Sequence, residues 1–384
     1  SVLARLLTAE GPPVTLLTGE AGVGKTRLVG EVARRAGAGG TAVLWGSGQD
    51  AEGHTPYGAF AEALDGRLAG HEADERARVG AEYPELASFL PSLGRVAAER
   101  ERSPEEERDR LFRASTAFLS DLAARCPVLV VLDDLHAADT GSFQLLSHLA
   151  RRAGEQGTPL RFLVTYREEE LADGDARRSV VTSLLRQRLA VREELARLDE
   201  DACQTVVADV TAGAAHDGWS RRVWELSLGN PLFALELARD PAGTGTTVAP
   251  EGVRDLVADR LVRLDPDTRR VVEALSVAGG DAALSELLDV AGQGLHPPLT
   301  GPAAAGALER AIAASLVEER QVVVAGRPEA GVAFRHPLVR LTCYEQLAVV
   351  RRRQLHAAFA RAVLRRRPDA VDTLASHFAR ADDP

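Results

Sequence analysis

The stretch GEAGVGKT, residues 19–26, decides the fold expected for this 384-residue chain. It fits the pattern GxxxxGK[ST], in which glycines let successive backbone N–H groups turn towards the oxygens of a phosphate. The apolar, β-branched run Val14–Thr18 comes directly before it, and a helical pattern from Thr26 to Arg35 follows. A second strand is expected at Thr41–Trp45. This order predicts a phosphate-binding loop at the entry of an α/β sheet.

The loop contains the only lysine of the chain, Lys25. A compact ammonium enters a phosphate-binding loop as a point charge, whereas a guanidinium is planar and needs its own bidentate partner. We expect Lys25 to contact the β- and γ-phosphates of a nucleotide and Thr26 to bind Mg²⁺. The residues predicted to bind the nucleotide at this loop are Gly19, Glu20, Ala21, Gly22, Val23, Gly24, Lys25, Thr26 and Arg27.

A second motif lies where the apolar run Val128–Leu132 ends in two aspartates. A carboxylate at a strand end can reach magnesium through water, and a neighbouring one can orient the attacking water. We therefore expect Asp133 to be a metal ligand and Asp134 to be the catalytic base. The alternative is a turn that only caps the next helix. Asp139, which follows His136 in the same turn, is a candidate for that N-cap.

A cation follows the next apolar strand. Arg167 closes the run Leu160–Tyr166, which places it at the sheet edge where the phosphate loop is expected. There it is predicted to act in catalysis by sensing a γ-phosphate. The alternative is a surface ion pair with Glu168 or its neighbours.

The chain changes character near residue 198. Up to that point strands and helices alternate, which predicts a doubly wound parallel sheet with its ligand at the carboxyl ends of the strands. The segment 57–125 is expected to be helical, with loops around Pro84 and Pro91 and a helix start at Ser103. After residue 198, helices dominate. They are predicted at 200–212, 220–239, 252–263, 267–278, 283–291, 303–315, 337–349, 351–367 and 370–380.

Two short strand patterns interrupt these helices and predict a β-hairpin, at Val322–Val324 and Gly331–Phe334. Helices beside a hairpin indicate a winged-helix module. The predicted fold is an α/β P-loop NTPase followed by an α-helical lid, a winged-helix domain and the start of a helical repeat region. The expected parts are 1–198, 199–263, 264–348 and 349–384, with a first helix at Val2–Ala9 and a linker at Pro241–Pro250.

Composition excludes several classes of protein. The formal charge of −10 argues against a broad nucleic-acid surface, because such binding depends on clustered cations. The three cysteines are far apart and match neither a disulfide framework nor a zinc site, which fits a reducing cytoplasm. No apolar run approaches the roughly 20 residues that span a membrane. The chain has no methionine and begins at Ser1, so we expect a piece of a longer protein.

Five segments together resemble one class of proteins. They are GEAGVGKTRLV at 19–29, VLVVLDDLHAAD at 128–139, FLVTYRE at 162–168, GNPLFALEL at 229–237 and FRHPLVR at 334–340. In this order they look like the STAND class of signal-transducing NTPases, and within it like the LuxR-type large ATP-binding transcriptional regulators related to the maltose-regulon activator. The resemblance covers essentially the whole chain.

The resemblance implies a switch operated by ATP, ADP and Mg²⁺. ADP would hold a closed state, and ATP with an inducer would open it for self-association. Pro231 would lie against adenine, and His336 would contact the β-phosphate of ADP. From the residues alone, Pro231 belongs to a corner between two helices, and a histidine placed as His336 is more often a helix cap or an interdomain residue. The parts that read the inducer and DNA are expected outside these residues.

Four functions are compatible with the motifs. The first is a slow switch ATPase within a transcriptional regulator, and the second is the same module attached to a cyclase, kinase or defence effector. A AAA+ motor or loader is the third, but motors carry Glu where this chain has Asp134, and the shorter side chain favours slow hydrolysis. The fourth is a nucleotide or small-molecule kinase, which the sequence disfavours because no acceptor-site acid or lid-arginine motif accompanies the loop. The effector domain would separate the first two.

Overall fold

The computed structural model describes residues 11–48, 56–94, 103–171, 174–213, 218–239, 251–279, 281–324 and 327–381. The helix expected at Val2–Ala9 and the linker expected at Pro241–Pro250 lie outside these residues. By its internal packing the chain divides into two compact units, Ser1–Ala196 and Arg197–Pro384. The division into four parts stays a prediction.

A parallel sheet of five strands forms the centre of the first unit. Its strands are β1 (Val14–Thr18), β2 (Ala42–Ser47), β3 (Val128–Asp133), β4 (Leu160–Thr165) and β5 (Ala190–Glu194). They run in the order β2-β3-β4-β1-β5, and every neighbouring pair is parallel. β4 therefore separates β1 from β3, and the ends of all three strands meet at one edge.

Six α-helices lie between these strands in the described part of the first unit. They are α1 (Lys25–Ala38), α2 (Gly58–Ala69), α3 (Ala73–Glu82), α4 (Pro104–Ala123), α5 (Thr140–Gln156) and α6 (Ala176–Arg186). Pro84 and Pro91 each open a short 3-10 helix. The expected start of α4 is confirmed, because Ser103 and Glu106 form a reciprocal capping box at its N-terminus.

Both faces of this sheet are buried. Successive side chains of a strand point to opposite faces, so Leu16 packs with Phe60 and Phe143 on one side, while Leu17 packs with Val29 of α1 on the other. All six residues of β3 are buried. The sheet is therefore covered twice, as the unbroken apolar runs predict.

Two strands were not expected from the sequence. β5 reads Ala-Val-Arg-Glu-Glu and lies at the sheet edge, where only its first residue is buried, so it has no apolar run to reveal it. The other, β6 (Asp281–Ala283), has three residues and pairs with the hairpin. Neither strand carries the period-2 pattern that identifies a strand from sequence.

The second unit contains ten helices in its described residues. They are α7 (Glu200–Val210), α8 (Trp219–Ser227), α9 (Pro231–Arg239), α10 (Glu251–Val262), α11 (Pro266–Ala278), α12 (Leu284–Gln293), α13 (Gly301–Ala313), α14 (Pro337–Gln346), α15 (Val349–Arg366) and α16 (Val371–Ala381). A three-stranded antiparallel sheet, in the order β6-β8-β7, accompanies them. Its hairpin, β7 (Val317–Val324) and β8 (Arg327–Phe334), is longer than the sequence pattern indicated.

Among the described residues, no helix combines the length and the apolar character that crossing a bilayer requires.

Candidate nucleotide-binding site

Three glycines shape the loop between β1 and α1. Gly19, Gly22 and Gly24 have φ angles of 144°, 78° and 98°, in the region that favours glycine. A Cβ on Gly19 would stand 2.9 Å from the carbonyl oxygen of Leu195, so that position also needs close backbone approach. A Cβ on Gly24 would meet nothing within 4 Å. The loop is therefore tight on its sheet side and open beside the start of α1.

Helix α1 begins at Lys25 with no side-chain cap on its first N–H groups. Uncapped N–H groups at a helix start carry partial positive charge and favour an anion. Thr26 and Arg27 lie in the same turn and are exposed. The donors of this turn therefore suit the phosphates of a nucleotide, and the Thr26 hydroxyl is placed to bind a metal beside them.

The Lys25 ammonium lies against the loop. Its Nζ donates hydrogen bonds to the carbonyl oxygens of Gly19, at 2.7 Å, and Glu20, at 3.0 Å. The residue is buried, with 6% of its surface exposed. Burial lowers the pKa of Lys25, as does the positive charge of Arg167, while three carboxylates oppose these effects. Those carboxylates belong to Asp134, Glu169 and Asp133. The charged groups predicted from separate motifs thus act on one ammonium.

A threonine of β4 contacts both aspartates. Strand β4 lies between β3, which ends at Asp133, and β1, which leads into the phosphate loop. Thr165, the last residue of β4, donates from Oγ1 to Oδ1 of Asp133 at 2.5 Å. The same Oγ1 accepts from the backbone N–H of Asp134 at 2.8 Å. Thr165 is fully buried and Asp133 nearly so. This pair of bonds fixes both the carboxylate of Asp133 and the direction in which the chain leaves β3.

Asp134 adopts a left-handed conformation, with φ 49° and ψ 42°. Its side chain is 42% exposed, whereas Asp133 is held inside the sheet edge. Gly48 supports this turn from the end of β2, since its N–H donates to the Asp133 carbonyl at 2.8 Å. The two adjacent carboxylates therefore differ in environment, one fixed and one able to meet water.

Arg167 forms an ion pair with a neighbouring glutamate, which is the alternative to its predicted role in sensing a γ-phosphate. Its Nη1 donates to a carboxylate oxygen of Glu170, while Glu168 pairs with Arg192. Its position at the sheet edge is also observed, because it comes two residues after β4, and the N–H of the intervening Tyr166 donates to Leu17 of β1. Glu170 further contacts His136, with 3.2 Å between Oε2 and the ring Nε2. Arg167 thus has the expected position together with a partner of its own.

The turn after β3 is held by two further contacts. Asp139 caps α5 by accepting a hydrogen bond from the Ser142 N–H at 3.0 Å, so the helix-cap interpretation of this residue is confirmed. Arg177 of α6 donates to the carbonyl oxygens of His136, at 2.7 Å, and Ala138, at 3.2 Å. These contacts fix the backbone of the residues that follow Asp134, from His136 to Asp139.

The remaining two predicted residues lie in the second unit. Pro231 is the first residue of α9, where the Asn230 side chain accepts from the Leu232 N–H at 3.1 Å. His336 caps α14, since its Nδ1 accepts from the Leu338 N–H at 3.2 Å. Both residues thus have the roles at helix starts that their local sequences indicate, and their predicted nucleotide contacts stay predictions.

His336 also joins α14 to the end of α8. Its Nε2 donates to the Ser227 carbonyl at 2.6 Å, and its ring lies against Phe233 with 4.1 Å between centroids. Because Nδ1 accepts a backbone N–H, the ring proton is on Nε2. The side chain is buried, with 4% exposed.

The sequence comparison that bears on this site concerns the first unit. Residues 1–164 match the AAA ATPase domain. The match covers the phosphate loop and both aspartates and ends one residue before Thr165. The predicted NTPase module is thus supported at the level of this domain, and the finer class is not shown by it.

Solved structures agree on the fold. A Walker-type ATPase of Pyrococcus abyssi has a TM-score of 0.57 and 16% sequence identity, over 89% of this chain and 95% of that chain. This similarity confirms the P-loop NTPase fold with its parallel sheet. Cdc6p from Pyrobaculum aerophilum is matched over 90% of this chain and 92% of that chain, with 15% identity and a TM-score of 0.39.

An uncharacterized protein of Rhizobium meliloti (strain 1021) is 26% identical over 406 residues. The alignment covers 96% of this chain and 37% of the relative. The chain therefore spans well under half the length of the curated relative it matches.

Three residues of the site were not identified from the sequence. Thr165, Glu170 and Gly48 act through contacts with other loops, which spacing along the chain does not show. One signal was available for Thr165, since it is the hydroxyl that directly follows the apolar run Phe162, Leu163 and Val164. Glu170 stands among three consecutive glutamates, and nothing in the sequence distinguishes it from its neighbours.

Proposed function

We propose that this chain is an ATP- and ADP-binding switch with slow ATP hydrolysis. The observation that supports it most is the strand order, in which β3, β4 and β1 are neighbours. The residues at and after the ends of these strands, Asp133, Asp134, Arg167 and Lys25, therefore stand at one edge of the parallel sheet, beside an uncapped helix start. Two cations and two carboxylates in this arrangement suit a magnesium nucleotide, because the cations balance phosphate charge and a carboxylate holds the metal.

Each residue has a distinct proposed role. When bound, the magnesium nucleotide supplies the phosphoanhydride bond that water cleaves. The Lys25 ammonium, which contacts the carbonyl oxygens of Gly19 and Glu20, would donate to phosphate oxygens instead. The Thr26 hydroxyl and the Asp133 carboxylate would hold the magnesium ion. The Asp134 carboxylate orients water and accepts its proton. Arg167 supplies positive charge at the end of β4.

Slow turnover follows from Asp134 in this proposal. The carboxylate of an aspartate reaches one methylene less far than that of a glutamate, and the left-handed backbone at Asp134 fixes where it starts. Turnover by the purified chain is expected at about 0.1 s⁻¹ or slower, against a median near 10 s⁻¹ for enzymes. Asp134→Asn should bind ATP with unchanged affinity and hydrolyse it at least about tenfold more slowly. Wild-type turnover in Asp134→Asn would remove this residue from the chemistry.

The finer proposal is the regulatory ATPase core of a LuxR-type STAND transcriptional regulator in the cytoplasm. It draws on the resemblance in the GNPLFALEL and FRHPLVR segments, which form the corner at Pro231 and the start of α14. The helices after residue 197 would comprise a lid and a winged-helix domain, followed by the first repeat helices. Self-association would depend on nucleotide, and DNA contact would need a domain outside these residues.

The role of His336 gives this finer proposal its own test. In the structure both ring nitrogens form hydrogen bonds with backbone groups of the second unit. A contact between Nε2–H and ADP would therefore require the hydrogen bond to the Ser227 carbonyl to break. If that exchange occurs, His336→Asn, which can still cap α14, should release ADP at least about fivefold faster. An ADP off-rate equal to that of the wild type, measured by stopped-flow with a fluorescent ADP, would leave His336 a cap alone.

A further inference from the structure

Glu170 bridges two loops at the sheet edge. It lies in the 3-10 turn Glu168–Glu170 that follows β4. One carboxylate oxygen accepts from Nη1 of Arg167, and the other lies 3.2 Å from Nε2 of His136. The His136 side chain is only 5% exposed and comes from the turn after Asp134. The carboxylate therefore connects the cation after β4 to the loop that carries the second aspartate.

The guanidinium of Arg167 already has a carboxylate partner in Glu170. The Arg167 side chain is 25% exposed, and its Nε is buried without a hydrogen-bond partner among the described residues. Arg167 follows β4, which lies next to β1, and the N–H of the preceding Tyr166 donates to the carbonyl oxygen of Leu17 at 3.3 Å, so Arg167 stands at the sheet edge from which the phosphate loop leaves. An incoming phosphate would thus meet a guanidinium that a carboxylate already holds.

Glu170 remains ionised at any pH near neutrality. The hydrogen bond with His136, with help from the charge of Arg167, lowers the pKa of Glu170 to about 2. Carboxylate and phosphate oxygens both match the fork of a guanidinium, so they compete for it. Because 37% of the Glu170 side chain is exposed, the carboxylate can turn towards solvent without unfolding of the turn.

We propose that Glu170 is a positioning residue that holds Arg167 until a triphosphate replaces it, with His136 keeping the carboxylate in place. This proposal rests on the proposed ATP-binding function. The apparent affinity for ATP is then the intrinsic affinity multiplied by the fraction of molecules in which Arg167 is free of Glu170. ADP has no γ-phosphate for Arg167, so its affinity should not depend on Glu170.

The same turn offers a matched control. Glu168 forms an ion pair with Arg192 of β5 at 2.8 Å, and both side chains are at least 40% exposed. Glu168→Gln removes the same charge from the same turn and leaves the pair between Arg167 and Glu170 intact. Any general effect of net charge on nucleotide affinity will therefore appear in both variants.

The test measures ATP and ADP affinity by calorimetry with Mg²⁺ for the wild type, Glu170→Gln, Arg167→Ala and the double variant. Glu170→Gln should bind ATP about threefold to tenfold more tightly and ADP with wild-type affinity. The gain should vanish when Arg167 is already alanine, and Glu168→Gln should show none. Unchanged ATP affinity in Glu170→Gln, or a gain that persists in the double variant, would overturn the proposal.

A second readout needs no nucleotide. Phenylglyoxal modifies accessible arginines, and mass spectrometry reports the rate at Arg167 itself. The rate at Arg167 should rise at least about threefold in Glu170→Gln and stay unchanged in Glu168→Gln. An equal rate in the wild type and Glu170→Gln would show that the carboxylate does not hold Arg167. If the rate rises but neither the wild type nor any variant binds ATP, the ion pair between Glu170 and Arg167 is confirmed. In that case the replacement of Glu170 by a triphosphate is wrong, and so is the proposed function.

Discussion

Oγ1 of Thr165 lies 2.5 Å from Oδ1 of Asp133, and the same hydroxyl accepts the N–H of Asp134 at 2.8 Å. One buried side chain on β4 thereby fixes the last residue of β3 and the first residue of the turn beyond it. Because β4 lies between β1 and β3, this contact connects the acidic strand end to the strand next to the phosphate loop. The orientation of the proposed metal ligand is therefore set by a neighbouring strand.

Removing this hydroxyl should weaken both the folded state and the positioning of the two aspartates. Thr165→Val keeps the shape of the side chain but leaves the Asp133 carboxylate and the Asp134 N–H without their partner. We expect a loss of about 1–3 kcal/mol in the free energy of unfolding and a drop in ATP turnover of at least about tenfold. Urea unfolding and phosphate release measure the two effects.

Thr165→Ser is the matched control for that substitution, since it keeps the hydroxyl and loses a methyl group. It should retain most of the turnover. If Thr165→Val hydrolyses ATP as fast as Thr165→Ser, the hydroxyl does not position the aspartates.

Gly48 allows β2 to approach the Asp134 turn. A Cβ at this position would lie 2.4 Å from the Asp134 carbonyl oxygen, which is backbone and cannot swing away. Gly48→Ala should therefore cost about 1–3 kcal/mol in unfolding free energy and lower ATP turnover, because the turn must shift.

Gly66→Ala provides the comparison. Gly66 lies in α2, and a Cβ there would meet nothing within 4 Å. This substitution should stabilise the protein by up to about 1 kcal/mol without changing turnover. Equal stability and equal turnover in the two variants would show that the contact between Gly48 and Asp134 is unimportant.

The sequence predicts those site residues whose position depends only on the residues next to them in the chain. The loop around Lys25 and the pair Asp133 and Asp134 follow apolar strands directly, and parallel strands bring their ends together, so their common location follows from pattern alone. Thr165 and Glu170 could not be assigned in this way, because their partners are on other loops. The same limit explains β5, whose place in the sheet depends on backbone pairing with β1 and not on apolar side chains.

A buried pair of histidines predicts acid sensitivity in the second unit. Nδ1 of His356 lies 2.9 Å from Nδ1 of His377, and Tyr344 contacts the first ring at 3.1 Å. Burial, followed by nearby positive charges, lowers the pKa of both histidines to about 4. The charges come from the pair itself and from Arg352, Arg367 and Arg380.

The sign follows from linkage. Below a pH of about 6.5 the unfolded chain binds protons that the folded histidines do not, so stability falls as pH drops towards about 4. Each histidine contributes a slope of up to about 1.4 kcal/mol per pH unit in this window. His377→Gln should reduce the slope, as measured by urea unfolding at several pH values. An identical pH dependence in wild type and variant would contradict this assignment.

The central claim is that the loop around Lys25 binds ATP, and calorimetric titration of Mg-ATP tests it most directly. Lys25→Ala should weaken ATP binding by at least about 100-fold, because a buried, charge-assisted contact with phosphate is lost. Arg34→Ala, which removes an exposed cation of the same helix paired only with Glu31 among the described contacts, should bind like the wild type. Equal ATP affinity in Lys25→Ala and the wild type, with both proteins folded, would contradict the account.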